Sequence, residues 1–262
     1  MTRNKGAGPT LSLIWLGLVA AAAVAAPLLW TESAARMDFA AVLAPPSAAH
    51  PLGTDPLGRD LLARLACGAR VSVGVGVVAV GLSLLIGTFV GGAAGYFGGW
   101  RDRALMGLTD VMLCFPTLFL ILAVIAVLGP GIWNVVLVIG ATSWMGTARL
   151  VRAEVLSLRE REFILAARAV GAGPIRILRT HLLPNALGPV LVSAVLGVAT
   201  AVLLESGLSF LGLGVQPPTP SWGNLLTDGK ATLGVAWWLT LFPGLVILLT
   251  ALAANCIAED LR

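Results

Sequence analysis

Charge is scarce in this chain. Asp, Glu, Lys and Arg make up 11% of its 262 residues, where a soluble domain carries roughly a quarter. That leaves too little polar surface to cover a water-soluble fold of this length, so an integral membrane class is implied. Cysteine is sparse as well. Cys67, Cys114 and Cys256 form no CxxC pair, so no disulfide framework or zinc site is implied and they read as small packing residues. Histidine is limited to His50 and His181, both in polar segments, so metal coordination by this chain alone is not expected. A phosphate-binding loop is missing too. The nearest approach is Gly229-Lys230, but Ala231 follows it and Asn224 occupies the place of the first glycine. With no nucleophile–base set or paired carboxylates in a plausible pocket, no catalytic residue is expected.

What the chain has is apolar length. Hydrophobic residues are 58% of it and the mean hydropathy is +0.93. Its length allows about six helical spans of roughly 20 residues. Apolar runs place them near 11–30, 71–96, 105–128, 133–150, 186–207 and 236–257. The run after Arg3 and Lys5 exceeds the apolar core of a signal peptide, about 7–15 residues, so a retained first helix is expected. The net charge of +4 does not point to nucleic acid, because the basic residues lie between apolar runs and report topology. Arg149, Arg152, Arg159, Arg161, Arg168, Arg176 and Arg179 crowd one inter-span region. Placing it in the cytoplasm puts both chain ends inside as well. Residues 1–70 then form a first helix with an extracytoplasmic loop, and 71–262 form a core membrane domain whose cytoplasmic loop is 151–185. In the second span, Gly87, Gly91 and Gly95 recur every fourth residue, a face that lets another helix backbone approach closely.

The segment 159–189 begins as a helix with Glu162 near its start, where a carboxylate suits the helix dipole. Phe163, Ala166, Ala167 and Val170 fall on one face. Gly171 and Gly173-Pro174 stop that helix. A second helical stretch follows from about Ile175 to Leu183, and Pro184 marks the start of the next span. A cytoplasmic helix with small residues on one face and arginines around it suits docking into a protein groove. It suits an interfacial helix held by anionic lipid equally well.

The spacing Ala166-Ala167-x-x-x-Gly171, followed by His181-Leu182-Leu183-Pro184, resembles the coupling loop of ABC importer permeases. Further stretches are similar to the dipeptide/oligopeptide/nickel subfamily of these permeases. They are His50-Pro51-Leu52-Gly53-Thr54-Asp55 with Gly58-Arg59-Asp60, Gly95–Trp100, Asp110-Val111 with Phe115-Pro116, Ser209–Gly214, and Pro220–Gly223. The first is characteristic of the C-type member of a permease pair. The resemblance implies an all-α type I importer fold of about six spans with both ends inside. It implies import of short peptides, with nickel, another metal chelate or haem as alternative cargo. It implies a B-type permease partner, two ATPase subunits that bind ATP and Mg, an extracytoplasmic binding protein and a bacterial inner-membrane location. By resemblance, Glu162, Phe163, Ala166, Ala167, Arg168, Gly171, Ala172, His181 and Pro184 belong to the ATPase-coupling element. One position departs from the family: Leu165 stands where a glutamate is usual.

Asp110 and Glu205 are the carboxylates inside or at the edge of predicted spans. Such groups normally face protein or water, so both are candidates for the translocation path, or for a structural pair near a span end. An ATP-independent transporter would need a relay of several buried charges, and only these two qualify.

Overall fold

The computed structural model describes residues 7–261, and everything regular in that range is helical. Helix α1 covers Ala7–Leu29 and α2 covers Leu61–Phe97. Asp60 caps α2, its carboxylate accepting the Ala63 amide at 2.9 Å, so the helix begins at Leu61 rather than near residue 71. At 37 residues it is about 55 Å long and extends well past one hydrocarbon layer.

The third span, expected over 105–128, is not one straight helix. Helices α3 (Gly99–Leu113) and α4 (Thr117–Leu128) are bent by 83°. Pro116 lies at the corner with φ −58° and ψ 121°, and a proline drives the residue before it out of the helical region. Helices α5 (Ile132–Thr142) and α6 (Trp144–Leu158) form one crossing interrupted at Ser143. Helix α7 is Glu162–Ala169, α8 is Leu187–Phe210, α9 is Trp222–Lys230 and α10 is Trp238–Asp260. Among the described residues, five helical segments are long and apolar enough to cross a membrane, and the bent α3–α4 pair makes a sixth.

Contacts at the helix ends give the same topology as the charge pattern. Gly8 lies beside Cys256 and Trp15 Nε1 donates to Thr250 Oγ1 at 3.1 Å, so both ends of the chain sit at one end of the bundle. The arginine-rich segment is there too, since the Arg159 guanidinium donates to the Gly95 carbonyl at the end of α2.

The glycine face of α2 packs on α6. A Cβ at Gly87 would lie 2.6 Å from that of Thr147, one at Gly95 would lie 2.9 Å from the Arg152 carbonyl oxygen, and one at Gly91 would overlap the Ala148 carbonyl. Gly81 has open space instead. Gly91→Leu should therefore destabilise the chain by about 1–3 kcal/mol or more. Gly81→Leu should stay within about 0.5 kcal/mol. Thermal melting of the two variants in mild detergent checks this, and equal melting points would refute the close α2–α6 contact.

The extracytoplasmic connection ahead of α2 is folded rather than loose. Asp55 is fully buried. Its carboxylate accepts the amides of Leu57 and Arg59 at 2.8 and 2.9 Å and pairs with the Arg59 Nε at 2.6 Å and with the Arg64 guanidinium. Arg64 also reaches Asp228 of α9 at 2.8 Å. His50 Nδ1 meets the capping Asp60 at 3.0 Å, and Trp238 Nε1 of α10 donates to the Thr54 carbonyl at 3.1 Å. The stretch from His50 to Asp60 thus ties this connection to α2, α9 and α10.

Candidate functional site

The arginine-rich segment folds as a helix, a glycine turn and a second helical stretch. Ile164 of α7 is fully buried and joins Val151, Val155, Ile177 and Leu182 in one apolar cluster, with Ala167 and Ala172 packed at its edge. Ile164 is the anchor that the spacing did not single out. With it pointing inward, Phe163, Ala166 and Val170 are exposed and Ala167 is half-buried. The predicted face is therefore presented outward, apart from Ala167.

The end of α7 carries a glycine cap. Gly171 has φ +83°, its amide donates to the Arg168 carbonyl at 2.9 Å, and the Ala172 amide donates to the Ala167 carbonyl at 3.0 Å. These are the two bonds of a Schellman motif, which needs a left-handed residue at this position. The chain then turns through Pro174–Arg176 and a wide helical turn over Ile177–Leu182, and reaches Leu183–Asn185. His181 is half-buried in the wide turn, and its carbonyl accepts the Asn185 side-chain amide at 2.6 Å. Pro184 and Glu162 are exposed. The Arg168 guanidinium lies 5.9 Å from the centre of the Tyr96 ring, which places it over the end of α2. Leu165, Val170 and Ile175 are 50%, 86% and 68% exposed. Apolar side chains left uncovered there suit a contact with another protein or with the membrane surface.

The two membrane carboxylates lie in different surroundings. Asp110 pairs with Arg149 at 2.6 Å on the bundle surface. One end of the same α3–α6 contact holds a bidentate pair, Asp102 with Arg152 at 2.6 and 2.7 Å, that sequence inspection missed. Glu205 is fully buried. It accepts hydroxyl hydrogen bonds from Ser72 at 2.9 Å and Ser209 at 2.7 Å. Those hydroxyls in turn accept the amides of Trp222 and Val215. Glu205 is the centre of a knot joining α2, α8 and the start of α9.

Residues 83–261 match the family model described as the binding-protein-dependent transport system inner membrane component. The chain belongs to this family. The permease is 45% identical over 240 residues to the dipeptide transport system permease protein of Alkalihalophilus pseudofirmus, covering 92% of this chain and 79% of the relative. It is 41% identical over 267 residues to the di/tripeptide transport system permease protein of Pseudomonas aeruginosa, covering 99% and 87%. It is similar in fold to a chain of the inward-facing methionine ABC transporter MetNI, with a TM-score of 0.53 at 21% identity over 77% of this chain and 98% of that one. The permease is accordingly a multi-pass inner-membrane subunit of an ABC importer that works with ATPase and binding-protein partners, and it is not itself an enzyme.

Proposed function

We propose that this permease carries short peptides into the cell as one half of a translocation path, paired with a B-type permease and driven by two ATPase subunits. The observation that carries the cargo assignment is the 41–45% identity, over 92–99% of the chain, to permeases named for dipeptide and di/tripeptide transport. The drive enters through the segment 151–185. Phe163, Ala166 and Val170 form the face that seats in an ATPase groove, with Glu162 and Arg168 at the two ends of the helix. Gly171 and Ala172 set the turn behind it, and His181 and Pro184 lead into α8. The exposed Leu165 makes this contact apolar where relatives are expected to place a charge. Residues 71–262 act as the core that moves, and the folded connection before α2 faces the binding protein. Asp110 and Glu205 serve as ties within the bundle, since each has its partners inside the chain.

The complete complex, reconstituted in vesicles with its binding protein, should take up di- and tripeptides in an ATP-dependent manner. The same vesicles offered nickel or haem should take up neither. ATP-driven uptake of nickel or haem without peptide uptake would overturn the cargo assignment. Peptide uptake without ATP would overturn the drive.

A further inference from the structure

A cavity of about 240 Å³ lies between α2, the break separating α5 from α6, and α8. Ser83, Ser143, Thr147, Ser193 and Thr200 line it. It meets a second cavity of about 550 Å³ at Ser193 and Leu196. That one continues past Gly188 and Pro189, at the start of α8, towards Leu261. The pair makes a groove that runs along α8 from Leu204 to Gly188 at its cytoplasmic end, with the larger cavity at that end. The residues lining it include no Asp, Glu, Lys or Arg.

Most hydroxyls that line the groove make no bond within their own helices. A serine or threonine within a helix commonly bonds back to the carbonyl one turn earlier. Thr109, Thr142 and Thr250 do so, at 2.7–2.8 Å, and so does Thr200, at 3.0 Å. Among the described residues, no hydrogen-bond partner is found for the hydroxyls of Ser83, Ser143, Thr147 or Ser193. Ser83 and Thr147 are only 5% and 6% exposed, and their oxygens open onto the groove rather than being sealed in the core, since the fully buried unpaired hydroxyl among the described residues is that of Thr240. Unpaired hydroxyls at this depth are costly against lipid. They are satisfied only if the groove holds water or a polar solute.

We infer that this groove is the permease's wall of the translocation path and that its hydroxyls hydrogen-bond to the main chain of a passing peptide. The inference rests on the peptide reading above. A hydroxyl both donates and accepts, so it serves the N–H and the C=O of an extended peptide alike. The uncharged lining gives no reason to prefer or reject a charged side chain. Hydroxyls also exchange partners readily with water, which suits a surface that must release its cargo. The sequence candidates Asp110 and Glu205 would not meet that need, because both already hold internal partners.

The test uses the complete complex in vesicles. The variant Ser83→Ala/Thr147→Val/Ser193→Ala should lower peptide import about tenfold, the loss of one or two hydrogen bonds. ATPase stimulation by the loaded binding protein should be retained. Thr142→Val, which removes a hydroxyl already bonded within its helix, should stay within about twofold of the parent. In a background with Cys67, Cys114 and Cys256 replaced by alanine, Ser193→Cys and Thr200→Cys should react with a water-soluble maleimide from the cytoplasmic side. Import by the triple variant at the parent rate overturns the hydroxyl grip. Unreactive cysteines at both positions overturn the groove as a path, and they do so whatever the cargo. A parent complex that labels in the groove but moves no peptide leaves the path standing and removes the peptide from it.

Discussion

Replacing Asp55 by alanine should prevent the permease from holding its outer end together, at a loss of about 3–5 kcal/mol. The carboxylate is fully buried and is shared between two guanidiniums, Arg59 and Arg64, whose side chains are themselves 10% and 4% exposed. Removing it strands both cations. Asp228 cannot replace it, because it lies 2.8 Å from Arg64 but 4.0 Å from Arg59 and is already engaged. The amides of Leu57 and Arg59 would lose their acceptor in the same step. The Asp228→Asn change should cost far less, about 1 kcal/mol, because that carboxylate is one-third exposed and Asp55 remains. Melting in detergent and the yield of protease-resistant, membrane-inserted chain measure both effects. Asp55→Ala melting within 1 kcal/mol of the parent would show that the arginines find other partners, and Asp55 would have to be abandoned as the hub of the outer end.

The same ion group explains where the start of α2 escaped the sequence. Residues 61–70 carry Arg64 and Arg70, and a hydropathy scan treats such a stretch as loop. The structure extends the helix through it, because Arg64 is neutralised by Asp55 and by Asp228, the latter 164 residues away. Long-range pairing of this kind leaves no local trace. The glycine face of α2 was legible for the opposite reason. A backbone approach needs a missing side chain at each contact, and residue type at a fixed spacing records that directly. The corner at Pro116 lies between these cases. The proline announces a break, but the 83° angle comes from what α4 packs against, as Ile121 and Ile125 are buried with Val135 and Ile139. The Glu205 knot draws on Ser72 from another helix, so composition could flag the carboxylate but not its role. In the cytoplasmic loop the alanine spacing and the glycine stop were readable. The rotation of α7 was not, since it depends on Ile164 filling a pocket made by α6 and the wide turn.

That rotation is why Gly171→Val is expected to uncouple transport. Chain neighbours aside, nothing lies within 4 Å of a Cβ added at Gly171, so crowding is not the obstacle. The obstacle is φ +83°, which costs an ordinary residue about 1–2 kcal/mol and a β-branched one more. The chain can avoid that cost by giving up the two Schellman bonds to Ala167 and Arg168, after which the last turn of α7 frays and Ala166 and Val170 leave their positions. A cost of this size lowers the docking-competent population about 5–30-fold, and ATP-driven uptake should fall with it. Insertion should survive, because Ile164 and Ile177 keep their buried contacts. Gly171→Asn should fall between parent and valine, since asparagine tolerates the left-handed region. The order glycine, asparagine, valine in uptake, with equal amounts of permease in the membrane, is the signature of a backbone requirement. A valine variant that transports at the parent rate would show that the glycine cap of α7 is not required for the drive.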